Sequence, residues 1–232
     1  MADSFRFKQF EVANVRSAQK VGTDGVLLGA WVALKATDRR ILDVGTGTGV
    51  IALMMAQRAS DALITAIDID TESVAEATDN FLASPWQERL LAMEAPFQQM
   101  PGEYDLIISN PPFFIDSLKA PDDRRSAARH TDTLPHRDII SGAARLLSPQ
   151  GRLAVIYPAT EAEMFAGEAL SAGLFPERIC KVSTKAGAAP KRFLMELSRE
   201  KKEPLIEELS IMSGGDYTAE YKSLTSDFYL KF

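Results

Sequence analysis

Ile41-Leu42-Asp43-Val44-Gly45-Thr46-Gly47-Thr48-Gly49 is the stretch that decides how the chain is read. Its first half is a short apolar run of strand character, and its second half is a turn with glycine at alternate positions. Val50-Ile51-Ala52-Leu53-Met54-Met55-Ala56 follows at a spacing that suits a helix packed on a sheet. Glycines let a backbone approach a ligand closely, and a helix start offers unpaired N–H groups. The G-x-G-x-G spacing differs from the G-x-G-x-x-G expected where a dinucleotide pyrophosphate binds. Leu63-Ile64-Thr65-Ala66-Ile67-Asp68 then reads as a second strand closed by a carboxylate. Asp68 falls about 20 residues beyond the turn, where a ribose-binding acid belongs in such a unit. Asp70, two residues on, reads as a helix cap.

A later strand supplies the chemistry. Tyr104-Asp105-Leu106-Ile107-Ile108-Ser109 is an apolar run rich in β-branched residues, and Asn110-Pro111-Pro112-Phe113 ends it abruptly. An amide, a rigid turn and an aromatic ring at a strand's carboxyl end suit a planar substrate with an amino group. The amide oxygen and a backbone carbonyl can accept from an exocyclic NH2, and the ring can stack on the plane that carries it. On the tetrapeptide alone, a proline-terminated strand with a buried phenylalanine stays open.

The acid, the glycine turn and the N-P-P-F turn, in this order, resemble the class I S-adenosylmethionine-dependent methyltransferases with an N-P-P-[YF] signature. The resemblance implies an α/β, Rossmann-like fold, with a seven-stranded, mostly parallel sheet and helices on both faces. It also implies S-adenosylmethionine as cofactor, bordered by Asp43, Gly45, Thr46, Gly47 and Gly49, with Asp68 on the ribose hydroxyls. Phe97 would pack on the cofactor adenine, and Asn110 would touch cofactor as well as substrate. Asn110, Pro111, Pro112 and Phe113 would form the target-amine site. Phe5-Arg6-Phe7-Lys8-Gln9-Phe10, the long run from Lys20 through Thr23-Asp24-Gly25 to Trp31, and Arg129-His130-Thr131 are similar to the tRNA1(Val) adenine-37 N6-methyltransferase family over almost the whole chain. Two positions depart from that pattern. Pro96 stands where an acidic or polar adenine contact is usual, and Asn14-Val15-Arg16 replaces a Gln-Asp pair. An rRNA or DNA adenine methyltransferase, a protein glutamine N5-methyltransferase and a non-enzymatic RNA-binding module remain rival readings. The length leaves no room for a DNA target-recognition domain. Phe113 and the short amino-terminal segment disagree with the glutamine enzymes.

Composition narrows the setting. A chain of 232 residues can bury one substantial core. A single methyltransferase domain, 1–232, is expected, with residues 1–38 as an amino-terminal cover and 39–232 as the catalytic core. Met1-Ala2-Asp3-Ser4 does not read as a signal peptide, and no apolar run is long enough to cross a bilayer. Cys180 is the one cysteine and reads as an inert core thiol, which leaves neither an internal disulfide nor a cysteine-rich metal site. No His, Cys or carboxylate cluster has ligand spacing, so no metal is expected. A cytoplasmic, monomeric protein is expected.

The net charge of −6 argues against wholesale coating of nucleic acid. The cations nonetheless cluster. Arg178, Lys181, Lys185, Lys191, Arg192, Arg199, Lys201 and Lys202 lie towards the carboxyl end, and Lys119, Arg124, Arg125, Arg129 and Arg137 follow the N-P-P-F turn. Arg6, Lys8, Arg16 and Lys20 lie near the start. If they converge on the turn they can hold tRNA phosphates, with Arg124, Arg125, Arg129, Lys191 and Arg192 as the substrate-binding candidates. Solvated faces are the plainer reading. His130 and His136 need no catalytic role, and His136 reads as a helix start.

Alternating patterns predict strands near 40–44, 63–68, 89–93, 104–109 and 152–157, and helices near 25–34, 49–59, 72–83, 136–147 and 161–172. Thr23-Asp24 reads as the first helix's cap, with Trp31 in the core. Runs 179–184 and 193–197 read as an antiparallel pair. The charged stretch 114–135 lacks periodicity and reads as a substrate lid, disordered without RNA.

Overall fold

Apolar side chains alternate along the central strands and fill both faces of one sheet, which fixes the layers. In β3 (Arg40–Val44), Ile41 points to one face while Leu42 and Val44 point to the other. In β6 (Tyr104–Ser109), Leu106 and Ile108 oppose Ile107 in the same way. The first face is covered by α1 (Thr23–Trp31), α2 (Val50–Arg58), α3 (Thr71–Leu82) and the short α6 (Ala219–Thr225). The second is covered by α4 (His136–Leu146) and α5 (Ala159–Ser171). This computed structural model describes residues 3–112 and 134–231.

The remaining strands are the small hairpin β1 (Ser4–Arg6) and β2 (Glu11–Ala13), then β4 (Leu63–Asp68), β5 (Leu90–Glu94), β7 (Leu147–Pro158), β8 (Phe175–Lys185), β9 (Arg192–Ser198), β10 (Leu205–Ser213) and β11 (Asp216–Tyr217). The main sheet runs β11-β10-β8-β9-β7-β6-β3-β4-β5. The expected seven-stranded sheet is therefore extended to nine by β10 and β11. β10 pairs parallel to β8, and β11 folds back antiparallel. Its pattern, Leu205-Ile206-Glu207-Glu208-Leu209, does not alternate, because an edge strand leaves Leu205 and Ile206 half exposed. β8 and β9 form the expected antiparallel pair. From β3 the chain steps outward through β4 and β5, then returns to β6 on the other side of β3. That reversal is a topological switch point, and ligands bind at the carboxyl ends of the strands flanking one.

Local chemistry explains most element ends. Asp70 caps α3, its side chain accepting from Ser73 N at 2.9 Å. α1 departs from expectation at both ends. Gly22 holds its N-cap position without a side-chain cap, so Thr23 and Asp24 lie inside the first turn and Asp24 is freed for another partner. The helix stops at Trp31 because the chain turns extended at Val32, and Ala33 N donates to Glu196 Oε1 at 2.6 Å. Trp31 is buried, with its Nε1 on Glu207 Oε2 at 2.9 Å and the Arg178 guanidinium 4.3 Å from the ring centroid. Cys180 is buried in β8, and burial pushes its thiol up to about 12.

Candidate active site

The glycine turn is held open by its own backbone bonds and by β4. Gly45, Gly47 and Gly49 all have positive φ. Gly45 N and Thr46 N both donate to Ile67 O, at 2.9 and 3.0 Å. At Gly49 the requirement is absolute: φ is +81°, and a Cβ there would lie 2.5 Å from a ring carbon of Phe81. Asp68 grips this turn from β4. One carboxylate oxygen accepts Gly47 N at 2.9 Å and the other accepts Asp70 N at 3.1 Å, so the acid is fixed at the cavity edge.

Asp43 lies beneath the turn and is fully buried. Thr46 Oγ1 donates to its Oδ2 at 2.7 Å, while Oδ1 has no hydrogen-bond partner among the described residues. Burial raises this carboxyl group to about 7, with the Thr46 hydrogen bond opposing the rise. Across the switch point, Ser109 Oγ anchors the end of β6 to Val44 O at 2.8 Å. The next residue, Asn110, has a buried side-chain oxygen that is likewise without a partner among the described residues. Its amide borders a small recess with Lys20, Gly25 and Thr46. A buried polar atom left unpaired is costly, so two on one sheet edge mark a place where partners arrive from outside.

Between these walls lies a cavity of about 770 Å³. Gly45, Gly47, Asp68, Pro111 and Pro112 line it, which brings the glycine turn, the acid and the proline turn together, while Asp43, Thr46, Gly49 and Asn110 lie outside its lining. Phe97 also lines it, but its ring is only 3% exposed and wedged against α4, where a Cβ on Gly142 would lie 2.3 Å away. Phe97 therefore shapes the floor and offers no free face. Ile69 does offer one: it lines the cavity at 52% exposure, between two acids. Ser17, Gln19 and Gln98 also reach the cavity and were not read from the sequence. The signal for Ile69 was an apolar residue stranded after a strand-ending acid. Ser17 and Gln19 gave none, because nothing local places an amino-terminal segment on the glycine turn.

Phe113, Arg124, Arg125 and Arg129, with the expected lid 114–135 except its last two residues, lie outside the described residues. The carboxyl-terminal cations divide between the two ends of the sheet. β9 runs antiparallel to β7, so Arg192, opposite Pro158, lies at the site's edge of the sheet while Ser198, opposite Arg152, lies at the far edge. Lys185, Lys191 and Arg192 are thus near the site. Arg178, Arg199 and Lys202 are at the far edge, engaged with Glu196 and Glu207, with Ala144 O and Leu147 O, and with Glu177, respectively. Arg192 donates through Nε to Asp24 in α1 at 2.8 Å. Near the start of the chain, Lys8, Arg16 and Lys20 are already bonded, to Ser226 O, Asp79 and Val15 O. His136 starts α4 and is packed edge-on by Tyr157 and Phe165; burial lowers its pKa, which keeps the ring neutral. Among the described residues no group of three potential metal ligands occurs, and no helix is long and apolar enough to cross a membrane.

A family model described as "Methyltransferase small domain" matches residues 9–164. The tRNA1(Val) (adenine(37)-N6)-methyltransferase of Bacteroides fragilis is 44% identical over 233 residues, covering 98% of each chain. The protein of that name from Phocaeicola vulgatus is 46% identical over 229 residues, covering 97% of each. Among solved structures, a predicted O-methyltransferase from Agrobacterium tumefaciens superposes with a TM-score of 0.65 at 21% identity, over 88% of this chain and 96% of that one, a likeness of fold. A switch point flanked by a glycine turn, an acid at the end of β4 and an asparagine before two prolines, with near-full-length identity of this order, admits one conclusion: the chain belongs to the tRNA1(Val) (adenine(37)-N6)-methyltransferase family.

Proposed function

We propose that this protein transfers a methyl group from S-adenosylmethionine to N6 of adenine 37 in the anticodon loop of a valine tRNA. The observation that carries it is the buried Asn110 oxygen, without a partner among the described residues, in the recess that shares the glycine turn with the cavity. The residues present fit the methyl donor. Asp43 Oδ1, without a partner among the described residues, can face a cationic group that would draw off the carboxyl proton, and the exposed face of Ile69 suits a planar ring. Gly45, where a Cβ would meet nothing within 4 Å, keeps its wall open. Asp68 at the cavity edge would accept from ribose hydroxyls. When bound, S-adenosylmethionine supplies an electrophilic methyl group on a sulfonium.

The chain's task is positioning. An adenine N6 lone pair is delocalised into the ring, so the free amine is a poor nucleophile. The Asn110 side-chain oxygen and the Pro111 carbonyl would each accept one N6 hydrogen, favouring a more tetrahedral nitrogen with its lone pair aimed at the methyl group. Phe113 would stack on the ring. As the N6–CH3 bond forms, the S–CH3 bond would break to leave the neutral thioether, and the cationic N6 would then lose its extra proton to water. Alignment and electrostatics would supply the acceleration, with no strong general base. The target base must leave the loop's stack to reach the pocket, at a cost of a few kcal/mol. Lys191 and Arg192, with Arg124, Arg125 and Arg129, would hold flanking phosphates, Arg192 exchanging its bond to Asp24 for one to RNA. We place the activity in one domain, residues 1–38 serving as cover and 39–232 as catalytic core, acting as a cytoplasmic monomer without metal.

The test is methylation of total tRNA from cells lacking the protein, with labelled S-adenosylmethionine and mapping of the labelled nucleoside by mass spectrometry. N6-methyladenosine at position 37 of a valine tRNA is expected. Label confined to rRNA, DNA or a protein glutamine would overturn the partner and keep the chemistry.

A further inference from the structure

One buried acid holds the chain that precedes α1. Glu76 projects from α3 at 1% exposure, and its partners are backbone amides. Its Oε1 accepts Val15 N at 2.6 Å and Arg16 N at 2.8 Å, and its Oε2 accepts Ser17 N at 2.9 Å. One helical turn on, Asn80 Oδ1 accepts Ala13 N at 2.7 Å, and its Nδ2 donates to Ala13 O at 3.1 Å and to Thr48 O in the glycine turn at 2.8 Å. Residues 13–17 are thereby strapped across α3, and the chain beyond them delivers Ser17, Ala18 and Gln19 to the cavity. Ser17 is 1% exposed. Its Oγ accepts from Ser73 Oγ at 3.1 Å, donates to Gln19 O at 3.1 Å, and lies 3.3 Å from where a Cβ on Gly47 would sit.

A strap that needed only to be covered could be held by apolar packing, without burying a carboxylate. Three amides converging on one carboxylate fix position and register as well as contact. Burial pushes the Glu76 carboxyl up, but the N–H groups of Arg16, Ser17 and Val15 outweigh it and hold the group below its ordinary range, so it stays charged.

We propose that Glu76 is a positioning residue for methyl-donor binding: by fixing residues 13–19 against α3 it builds one wall of the cofactor cavity, though it touches no reacting group. The inference rests on the assignment of that cavity to the cofactor. Calorimetric titration of S-adenosylhomocysteine into the full chain tests both. Glu76→Ala should weaken binding about tenfold or more, with kcat at saturating cofactor within about threefold of wild type. Glu76→Gln, whose amide oxygen still accepts from Val15 and Arg16, should lose less. Arg16→Ala, which cuts the strap's exposed tie to Asp79, should bind as wild type does. Wild-type affinity in Glu76→Ala, alongside weakened binding in Asp68→Ala, would overturn the strap. Equal losses in Arg16→Ala and Glu76→Ala would also overturn it, as general loosening. Wild-type affinity in Asp68→Ala would instead strike down the cavity assignment. If Glu76→Ala fails to fold, amide exchange in the wild type decides: saturating S-adenosylhomocysteine should slow exchange at residues 15–17, and unchanged exchange there would overturn the proposal.

Discussion

The two edges of the sheet bury charge in opposite ways. At the far edge, Arg152 is almost fully buried and engages both oxygens of Asp38, at 3.0 and 2.8 Å, with a further bond to Ala33 O. Glu196 is buried beside it, 3.9 Å from Arg152 Nε, and also takes Arg178 and Ala33 N. Each charge there has a partner of opposite sign, although Arg152 Nε itself makes no hydrogen bond among the described residues. At the near edge, Asp43 Oδ1 and Asn110 Oδ1 are just as buried and have none among the described residues. Both arrangements cost desolvation energy, and among the described residues the far edge offsets more of it through paired charges. One edge builds the protein; the other is the one we assign to the ligand.

Substitutions should separate the edges sharply. Asn110→Ala is expected to lower kcat by about 10²–10³-fold while leaving cofactor affinity and Tm close to wild type, since it removes an acceptor that no described residue satisfies. Single-turnover kinetics with titrated cofactor would check it, and a matching loss of affinity would blur the comparison. Asp38→Ala should behave oppositely, stranding the buried Arg152 and costing about 3–5 kcal/mol in urea unfolding, with kcat of the folded fraction preserved. Asp68→Ala should weaken cofactor binding about 10- to 100-fold before it affects turnover, because its charge-assisted bonds also shape the glycine turn. The reverse pattern in Asn110 and Asp68 would mean that the two pockets are exchanged.

The smallest effect is the most diagnostic of the near edge. The Asp43 carboxyl group sits at about 7 in the folded protein, above its ordinary value, so the folded state holds a proton that the unfolded state releases. Its contribution to stability is fully present below the unfolded value and is lost as pH rises through 7. Ligand-free protein should therefore lose part of its Tm as pH rises from about 4 to about 7, and Asp43→Asn should flatten that part of the profile. A cationic ligand favours the carboxylate, so cofactor binding near pH 7 should release protons, detectable as buffer-dependent heats in calorimetry.

Much of the near edge was legible because its chemistry is local. Glycines at alternate positions after β3, an acid ending β4 and Asn110 before two prolines each occupy a few consecutive residues, and short-range sterics place them. The bounds of β3, β4 and β6 follow from apolar runs with abrupt ends. Other readings failed where a distant partner decided the outcome. Asp24 reads as a cap from its neighbours, yet it pairs with Arg192, 168 positions away. Arg178, Arg199 and Lys202 look like one basic region with Lys191 and Arg192, and antiparallel pairing of β9 with β7 sends them to the other edge.

The sequence by itself determined the order of the βα units, the glycine turn and the residue types that can meet a methyl donor and an amine, because each is a property of a few adjacent residues. Tertiary structure decided the rest: that the sheet gains β10 and β11, that Phe97 turns into the core, and that Glu76 and Asn80 bring residues 13–19 to the cavity. Those outcomes depend on which surfaces and buried amides meet across long separations in the chain, and no local pattern encodes them.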